Sequence, residues 1–279
     1  MATILDGKSL SEKILNNLAQ KIKNFERKPS LAVILVGDNP ASKIYVNNKR
    51  KVAEKIGITS QVINYPENIT EDKLLEKIKE LNNDKTIDAI LVQLPLPEHI
   101  SKTNIMNAIS YKKDVDGFTP YNSAQLYFGG EPYVYPCTPK GILLLLKEYN
   151  IDVEGRHVVV IGRSDIVGKP MSVMMLHENA TVTTCHSHTK DLKTVTKTAD
   201  IVISAVGKPI VFGDMLKKDC IVIDVGIFRD ENGKLRGDVD FESALKVAKY
   251  ISPVPKGVGP MTITSLMLNT VELYEHHIN

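Results

Sequence analysis

Two stretches of this chain alternate short, uninterrupted apolar runs with segments whose apolar positions recur at helical spacing. In the first, LAVILVG (31–37), QVINY (61–65) and IDAILVQL (87–94) read as strands. Helices are expected between them, from Ser42 to about Ile56, closed by Gly57, and from Thr70, a suitable cap, to about Leu81. The second stretch repeats the plan. HVVVIG (157–162) is followed by a turn and a helix starting near Val167–Pro170, then by TVTTC (181–185), IVISAVG (201–207) and CIVIDVG (220–226) as strands. Runs that are apolar throughout suit strands covered on both faces. Their alternation with helices predicts parallel sheets with right-handed crossovers.

Between the stretches lies 112–140, rich in Gly, Pro and aromatic residues, which runs into a helix from Pro139 to about Tyr149. A second break is expected at PVPKGVGP (253–260), followed by a tail helix to about His277 with Pro260 as its first residue. The expected fold is α/β: two α/β lobes with a cleft between them, the second a Rossmann-like dinucleotide-binding domain. The first lobe takes 1–140 with a returning helix at 258–279, and the second takes 141–257.

Composition changes this picture little. A chain of 279 residues can bury two cores, and 43% hydrophobic with 24% charged residues argues against global disorder. A net charge of +2, from 35 basic and 33 acidic residues, gives no electrostatic case for nucleic acid or an anionic membrane as partner. The longest apolar runs, such as ILLLL (142–146), are far short of a membrane span. MATILDGKSL has no basic region followed by an apolar stretch, so no signal peptide is expected. Cys137, Cys185 and Cys220 are too sparse for a disulfide scaffold and fit a reducing cytoplasm.

Candidate chemistry begins where VVVIG enters GRSDIVGKP (162–170). The pattern is Gly-x-Ser-x-x-x-Gly. Gly162 would make the tight turn, Ser164 is small enough for backbone to approach a pyrophosphate, and the helix N-terminus would offer free N–H groups. The acid that usually holds the ribose diol should come at the end of the next strand, where this chain has Cys185-His186-Ser187-His188. With Arg163 nearby, that end favours a ribose 2′-phosphate, hence NADP over NAD. The bland alternative is a ligand-free strand-to-helix turn. His186 and His188 read as exposed loop residues, and no metal is expected.

Polar residues interrupt the first stretch in a few places. Tyr45, Lys49, Val52 and Ile56 share one helix face, and the apolar pair marks it as core-directed. Lys49 is then either a partly desolvated lysine suited to proton transfer or a side chain that snorkels to solvent beside Arg50 and Lys51. Gln93 is the one polar side chain between Ala89 and Leu96, near the strand end where ligands collect in open α/β sheets. It could equally bond a loop. In KDVDGF (113–118), Asp114 and Asp116 lie in a loop, and Asp116, before Gly117, is either a turn former or a carboxylate offered to paired N–H donors. PVPKGVGPMT is either a stiff turn or a loop whose glycines admit a ligand.

Taken together, Ser42-x-x-Tyr45-x-x-x-Lys49, VQLPLP (92–97), KDVDGF, PCTPKG (136–141), GRSDIVGKP, GDV (237–239) and PVPKGVGPMT (253–262) resemble the bifunctional 5,10-methylenetetrahydrofolate dehydrogenase/cyclohydrolase family, in the same order along nearly the whole chain. The chain departs from the family at Lys256-Gly257, where Gly-Gly is usual. The resemblance implies two reactions: oxidation of 5,10-methylenetetrahydrofolate to the methenyl cation by NADP, and its hydrolysis to 10-formyltetrahydrofolate. It makes Lys49, Gln93, Tyr45 and Asp116 the catalytic set. Lys49 is central to hydrolysis, Gln93 orients it, Tyr45 stacks on the folate and Asp116 holds the pterin edge. Ser42, Val92, Leu94, Pro255, Gly257, Gly259 and Pro260 would line the substrate, and Gly162, Arg163, Ser164, Ser187 and Ile227 the cofactor. It further implies a cytoplasmic homodimer serving one-carbon metabolism and purine biosynthesis. Two rivals are a shikimate-type dehydrogenase, which would share the turn but not VQLPLP and PVPKGVGPMT, and a nucleotide sensor without turnover.

Overall fold

The structure is a computed structural model and describes residues 2–278. In chain order the strands are β1 (Thr3–Ile4), β2 (Ser30–Val36), β3 (Thr59–Tyr65), β4 (Ala89–Val92), β5 (His157–Ile161), β6 (Thr181–Cys185), β7 (Ile201–Ser204), β8 (Ile221–Asp224), β9 (Phe228–Arg229), β10 (Leu235–Arg236) and β11 (Tyr250–Ile251). The helices are α1 (Gly7–Ile22), α2 (Pro40–Ile56), α3 (Glu71–Asn83), α4 (Lys102–Ala108), α5 (Pro120–Phe128), α6 (Cys137–Glu148), α7 (Gly168–His177), α8 (Leu192–Thr196), α9 (Phe241–Leu245) and α10 (Val258–Ile278). The chain forms two compact units. One joins Lys13–Cys137 to the chain from Ser265, and the other joins the chain up to Glu12 to Thr138–Thr264.

The unit that starts at Lys13 is built on a parallel sheet of order β3-β2-β4. All of β2 is buried because it is the middle strand, whereas β3, at an edge, alternates toward solvent. Ile34, Leu74, Ile78, Ile90 and Ile105 pack one face of this sheet with no exposed surface beyond 1%. Helix α2 starts two residues before the expected Ser42, because the Asn39 side chain accepts from Ser42 N and Pro40 fits the first turn. Gly57 closes it at φ 95°, a left-handed conformation that glycine adopts without strain. Thr70 caps α3 as expected, accepting from Lys73 N at 3.4 Å. At the far side of the sheet Asp88, fully buried, takes a two-pronged bond from Arg27 at 2.6 and 2.7 Å and a contact from His277 Nδ1 at 3.1 Å, which anchors the end of α10.

The other unit carries a six-stranded parallel sheet of order β1-β11-β8-β7-β5-β6. Its first long strand, β5, is flanked by β6 on one side and β7 on the other, so strand order reverses there. Such a switch point is where open α/β sheets take ligands. β9 and β10 form a separate antiparallel hairpin.

Three expectations change. Residues up to Glu12 were expected with 1–140, and 258–264 with the returning helix, but both cluster with the six-stranded sheet, the former because β1 pairs in parallel with β11. Pro260 is not the first residue of the last helix, which begins at Val258. A proline in a helix's first turn still sacrifices no intrahelical bond. Finally, the core-facing side of α2 is Ser42, Val46, Ala53 and Ile56, and Tyr45 is 42% exposed. Small Ser42 and Ala53 let the helix approach the sheet, which moves Tyr45 and Val52 to the flank and leaves Lys49 half-buried at the border.

Candidate active site

In the unit of the three-stranded sheet, α2 brings Lys49 to the end of β4. Gln93 follows the last residue of that strand and extends its pairing with β2, its N–H donating to Ile34 O at 2.9 Å. Lys49 Nζ donates to Gln93 Oε1 at 3.0 Å. The amide of Gln93 donates in turn from Nε2 to Leu94 O at 2.7 Å. That second bond fixes which end of the amide faces the lysine, since only the oxygen can accept from an ammonium. Lys49 is thus tethered by a neutral acceptor, which orients the nitrogen without the charge-locking effect of a carboxylate.

The two acids of KDVDGF divide the roles that the sequence leaves open. Asp114 is the turn former: Oδ1 accepts from Gly117 N at 2.9 Å, and Oδ2 from Thr119 N at 2.7 Å and Asn122 Nδ2 at 2.9 Å. Asp116 makes none of these bonds, and the Cys137 thiol approaches its Oδ1 at 3.7 Å. Burial pushes the Asp116 carboxyl above the usual carboxylate range, while the nearby charge of Lys49 pulls it down, Asp114 adds to the rise and the thiol opposes it. Some of its surface stays accessible. A carboxyl so placed has acceptor capacity left for a ligand. Lys113, beside the acids, is structural: its buried ammonium donates to Leu81 O and Asp84 O at 2.8 and 2.6 Å and seals the end of α3. The structure therefore brings Lys49, Gln93 and Asp116 together. Of the flanking residues, Ser42 and Val92 are buried, Leu94 is half-buried and Tyr45 is exposed.

In the unit of the six-stranded sheet, Gly162 turns the chain at φ 122°, and a Cβ there would lie 2.7 Å from Ala205 O. A Cβ on Gly168 would lie 2.2 Å from Gly162 O. Both glycines are required by the close approach of helix and strand. Ser164 does more than leave space. Its Oγ accepts from Val167 N and Gly168 N at 3.2 and 3.3 Å, and its carbonyl accepts from Lys169 N at 3.0 Å. The first N–H groups of α7, expected to be free for phosphates, are therefore bonded to Ser164. Arg163 is exposed and, among the described residues, pairs with no carboxylate. Ser187 and Ile227 are exposed as well. After β6, His186 Nδ1 accepts from His188 N at 3.2 Å, and among the described residues no third ligand-type side chain joins the two histidines. An unpaired guanidinium beside a strand end without an acid fits an anionic dinucleotide carrying a ribose phosphate.

A buried pair of carboxylates had no signal beyond the GDV motif. Asp238 Oδ2 accepts from Ser204 Oγ at 2.8 Å and Val206 N at 2.7 Å, and its Oδ1 accepts from Lys208 N at 2.9 Å. Asp224 accepts from Gly226 N, Asp238 N and Val239 N at 3.1, 2.8 and 3.0 Å. Together they hold the loops that leave β7 and β8, including the one that carries Ile227. Burial pushes the Asp224 carboxyl up to about 7, against the pull of its N–H donors and with the push of Asp238.

In the same unit, Gly257 is required where it stands, since its own Cβ would meet Pro253 O at 2.4 Å. Its neighbour Lys256 has φ 84°, in the left-handed region that disfavours a side chain. A glycine there would carry no such strain. Pro255 and Gly259 are exposed, Gly257 is buried and Pro260 is half-buried.

A parallel sheet with a glycine-cornered strand-to-helix turn at its switch point defines a dinucleotide-binding α/β protein. Over residues 5–116 the chain matches the tetrahydrofolate dehydrogenase/cyclohydrolase catalytic domain, and over residues 136–278 the NAD(P)-binding domain of the same proteins. The chain belongs to the tetrahydrofolate dehydrogenase/cyclohydrolase family. It is 54% identical over 280 residues to the bifunctional protein FolD of Aquifex aeolicus, covering 99% of this chain and 96% of that one. The crystal structure of the bifunctional FolD methylenetetrahydrofolate dehydrogenase/cyclohydrolase from Campylobacter jejuni superposes with a TM-score of 0.97 at 51% identity, with 99% of each chain covered. The Trypanosoma brucei enzyme, complexed with NADP cofactor and inhibitor, gives 0.95 at 36% identity over 100% of this chain and 99% of that one.

Proposed function

We propose that the protein is a bifunctional one-carbon folate enzyme, oxidising 5,10-methylenetetrahydrofolate to 5,10-methenyltetrahydrofolate with NADP and hydrolysing the product to 10-formyltetrahydrofolate. The observation that carries this reading is the Lys49–Gln93 bond with Asp116 close enough to feel the lysine's charge. The bound nicotinamide supplies the hydride acceptor. Hydride transfer asks the protein mainly to position the two carbons. In that task Asp116 holds the paired N–H donors of the pterin edge, and Tyr45, exposed on the flank of α2, offers a ring for stacking. Hydrolysis adds water to the methenyl carbon and breaks the bond from that carbon to N5, which leaves with the electron pair; of the water's two protons, one passes to N5 and the other is released as the formyl C=O forms. Lys49 Nζ is the group that manages those protons, oriented by Gln93.

Arg163 and Ser187 would hold the ribose phosphate of the cofactor, with Gly162, Ser164 and Ile227 lining its site. Ser42, Val92, Leu94, Pro255, Gly257, Gly259 and Pro260 take substrate-lining roles by their place in the family motifs. A cytoplasmic homodimer serving purine biosynthesis is the assembly and setting this reading expects, and sedimentation velocity checks the dimer.

The test is to incubate the protein with 5,10-methylenetetrahydrofolate and NADP while following reduced cofactor and the methenyl chromophore. The expected result is the appearance of both, followed by decay of the chromophore. Absence of turnover with either nicotinamide cofactor would remove the dehydrogenase assignment. Persistence of supplied methenyltetrahydrofolate at its uncatalysed rate would remove the hydrolase assignment.

A further inference from the structure

Asp116 owes little of its placement to bonds of its own. Cys137 Sγ, at 3.7 Å, is a long contact, so the carboxyl is aimed by the main chain that carries it. That main chain is gripped from two sides. On one side Asp114 ties the turn through Gly117 N, Thr119 N and Asn122 Nδ2. On the other side stands Asn269, a fully buried residue of α10. Its Nδ2 donates to Val115 O at 2.8 Å and to Tyr135 O at 2.9 Å, and lies 3.5 Å from Cys137 Sγ. Val115 O is the carbonyl of the peptide that leads into Asp116, and it also receives the Cys137 thiol at 3.5 Å. One amide nitrogen thus ties the peptide before Asp116 to the segment that delivers the thiol to it.

We infer that Asn269 is a positioning residue for the Asp116 carboxyl, setting the peptide 115–116 and the 135–137 segment in one register so that the carboxyl faces the pterin edge of the folate. The inference rests on the proposed role of Asp116. The residue type suits the task. An amide can serve two carbonyls from one nitrogen, and being neutral it leaves the balance between Asp116 and Lys49 undisturbed, where a buried lysine or arginine would pull the carboxyl down. Removing it leaves the buried Val115 carbonyl and the part-buried Tyr135 carbonyl without this donor, and relaxation to recover partners turns the peptide that aims the carboxyl. A misplacement of that kind costs binding far more than its size suggests, because paired hydrogen bonds to a pterin tolerate little rotation.

The test is a double-mutant cycle read by tetrahydrofolate affinity. Asn269→Ala, Asp116→Ala and the double variant are titrated with tetrahydrofolate, with the KM for NADP and the thermal midpoint measured alongside. Thr270→Val is the control, since it removes a buried hydroxyl bond to Leu266 O on the same helix without touching residues 115 or 135. The expected loss for Asn269→Ala is about tenfold in affinity, shrinking to less than about twofold in the Asp116→Ala background, because coupled residues are not additive. The KM for NADP stays unchanged, and Thr270→Val leaves tetrahydrofolate affinity unchanged. An equal loss in both backgrounds, or an equal loss from Thr270→Val, makes Asn269 merely structural and overturns the inference. Should Asn269→Ala not fold, Asn269→Ser, which retains one donor, enters the same cycle under the same criteria. If Asp116→Ala itself leaves affinity intact, the role of Asp116 falls and the inference falls with it. If Asp116→Ala weakens binding while Asn269→Ala and Asn269→Ser do not, only the inference fails.

Discussion

Lys49 donates from Nζ to Gln93 Oε1 at 3.0 Å, and Gln93 is itself held by Leu94 O at 2.7 Å, so the lysine's orientation depends on a backbone carbonyl two bonds away. If Lys49 manages protons in hydrolysis, Lys49→Met abolishes the decay of methenyltetrahydrofolate absorbance, a loss of about 10²–10⁴-fold expected for removal of an acid–base group. Gln93→Glu puts a carboxylate against the ammonium and favours its charged form. The hydrolase pH profile of that variant therefore moves toward higher pH. A Lys49→Met enzyme that keeps most of its hydrolase rate would take Lys49 out of the reaction.

Arg163 is the exposed guanidinium of the dinucleotide turn, and the adjoining strand end carries no acid. Arg163→Ala should raise the KM for NADP by about 10- to 100-fold, the range of a charge-assisted bond to phosphate. The KM for NAD, which lacks the 2′-phosphate, should move less than about twofold. Side-by-side initial rates with the two cofactors decide it, and equal losses for both would assign Arg163 to the shared pyrophosphate instead.

Asp224 gives a pH dependence whose sign follows from its raised carboxyl. In the unfolded chain the group titrates near 3.8, and in the folded protein near 7. Between those values the folded protein holds a proton that the unfolded chain has released. Stability therefore falls as pH rises through this window and levels off above it, by about 4 kcal/mol at most. Asp224→Asn lowers stability overall, because its NH2 group meets backbone donors, but it removes this slope. Urea unfolding from pH 5 to 8 on both proteins checks it. Asp116, also raised, is present in both, so the difference isolates Asp224. Parallel stability curves would contradict the assignment.

Much of this molecule was legible because the long strands announce themselves. β2, β5, β7 and β8 are apolar at nearly every position, being covered on both faces. β1 and β11 have two residues each, too few for any period, and pair only with strands distant in sequence. Helix α1 leaves only the spacing of Leu10, Ile14, Leu18 and Ile22 as its trace in the sequence. Lys49 and Gln93 stood out as polar residues in apolar surroundings, but their pairing is a product of the packing of α2 on β2 and β3. Asn269 and Asp224 gave no local sign and Asp238 only its place in GDV, since each satisfies backbone groups that the folded chain brings near. Ser164 shows the opposite limit: its place in the motif was plain, yet its bonds to Val167 and Gly168 close the helix donors that the motif suggested were open.

Lys256 stands where the motif resemblance implies glycine, and its φ of 84° is a strain that glycine would not carry. A side chain in the left-handed region is disfavoured by roughly 1–2 kcal/mol, and glycine's greater freedom in the unfolded chain returns part of that, about 0.5–1 kcal/mol. Lys256→Gly should therefore raise the thermal midpoint by roughly 2 °C. Lys256→Ala keeps the strained backbone, and so should gain nothing. The same pair of variants tests whether the exposed ammonium serves the anionic glutamate tail of the substrate. If it does, both weaken binding of polyglutamylated folate and spare the monoglutamate, because both lose the charge. Weakening that appears in neither variant would leave Lys256 a tolerated substitution with a structural cost, and stabilisation of both variants alike would show that the charge at 256, not the backbone conformation, sets the penalty.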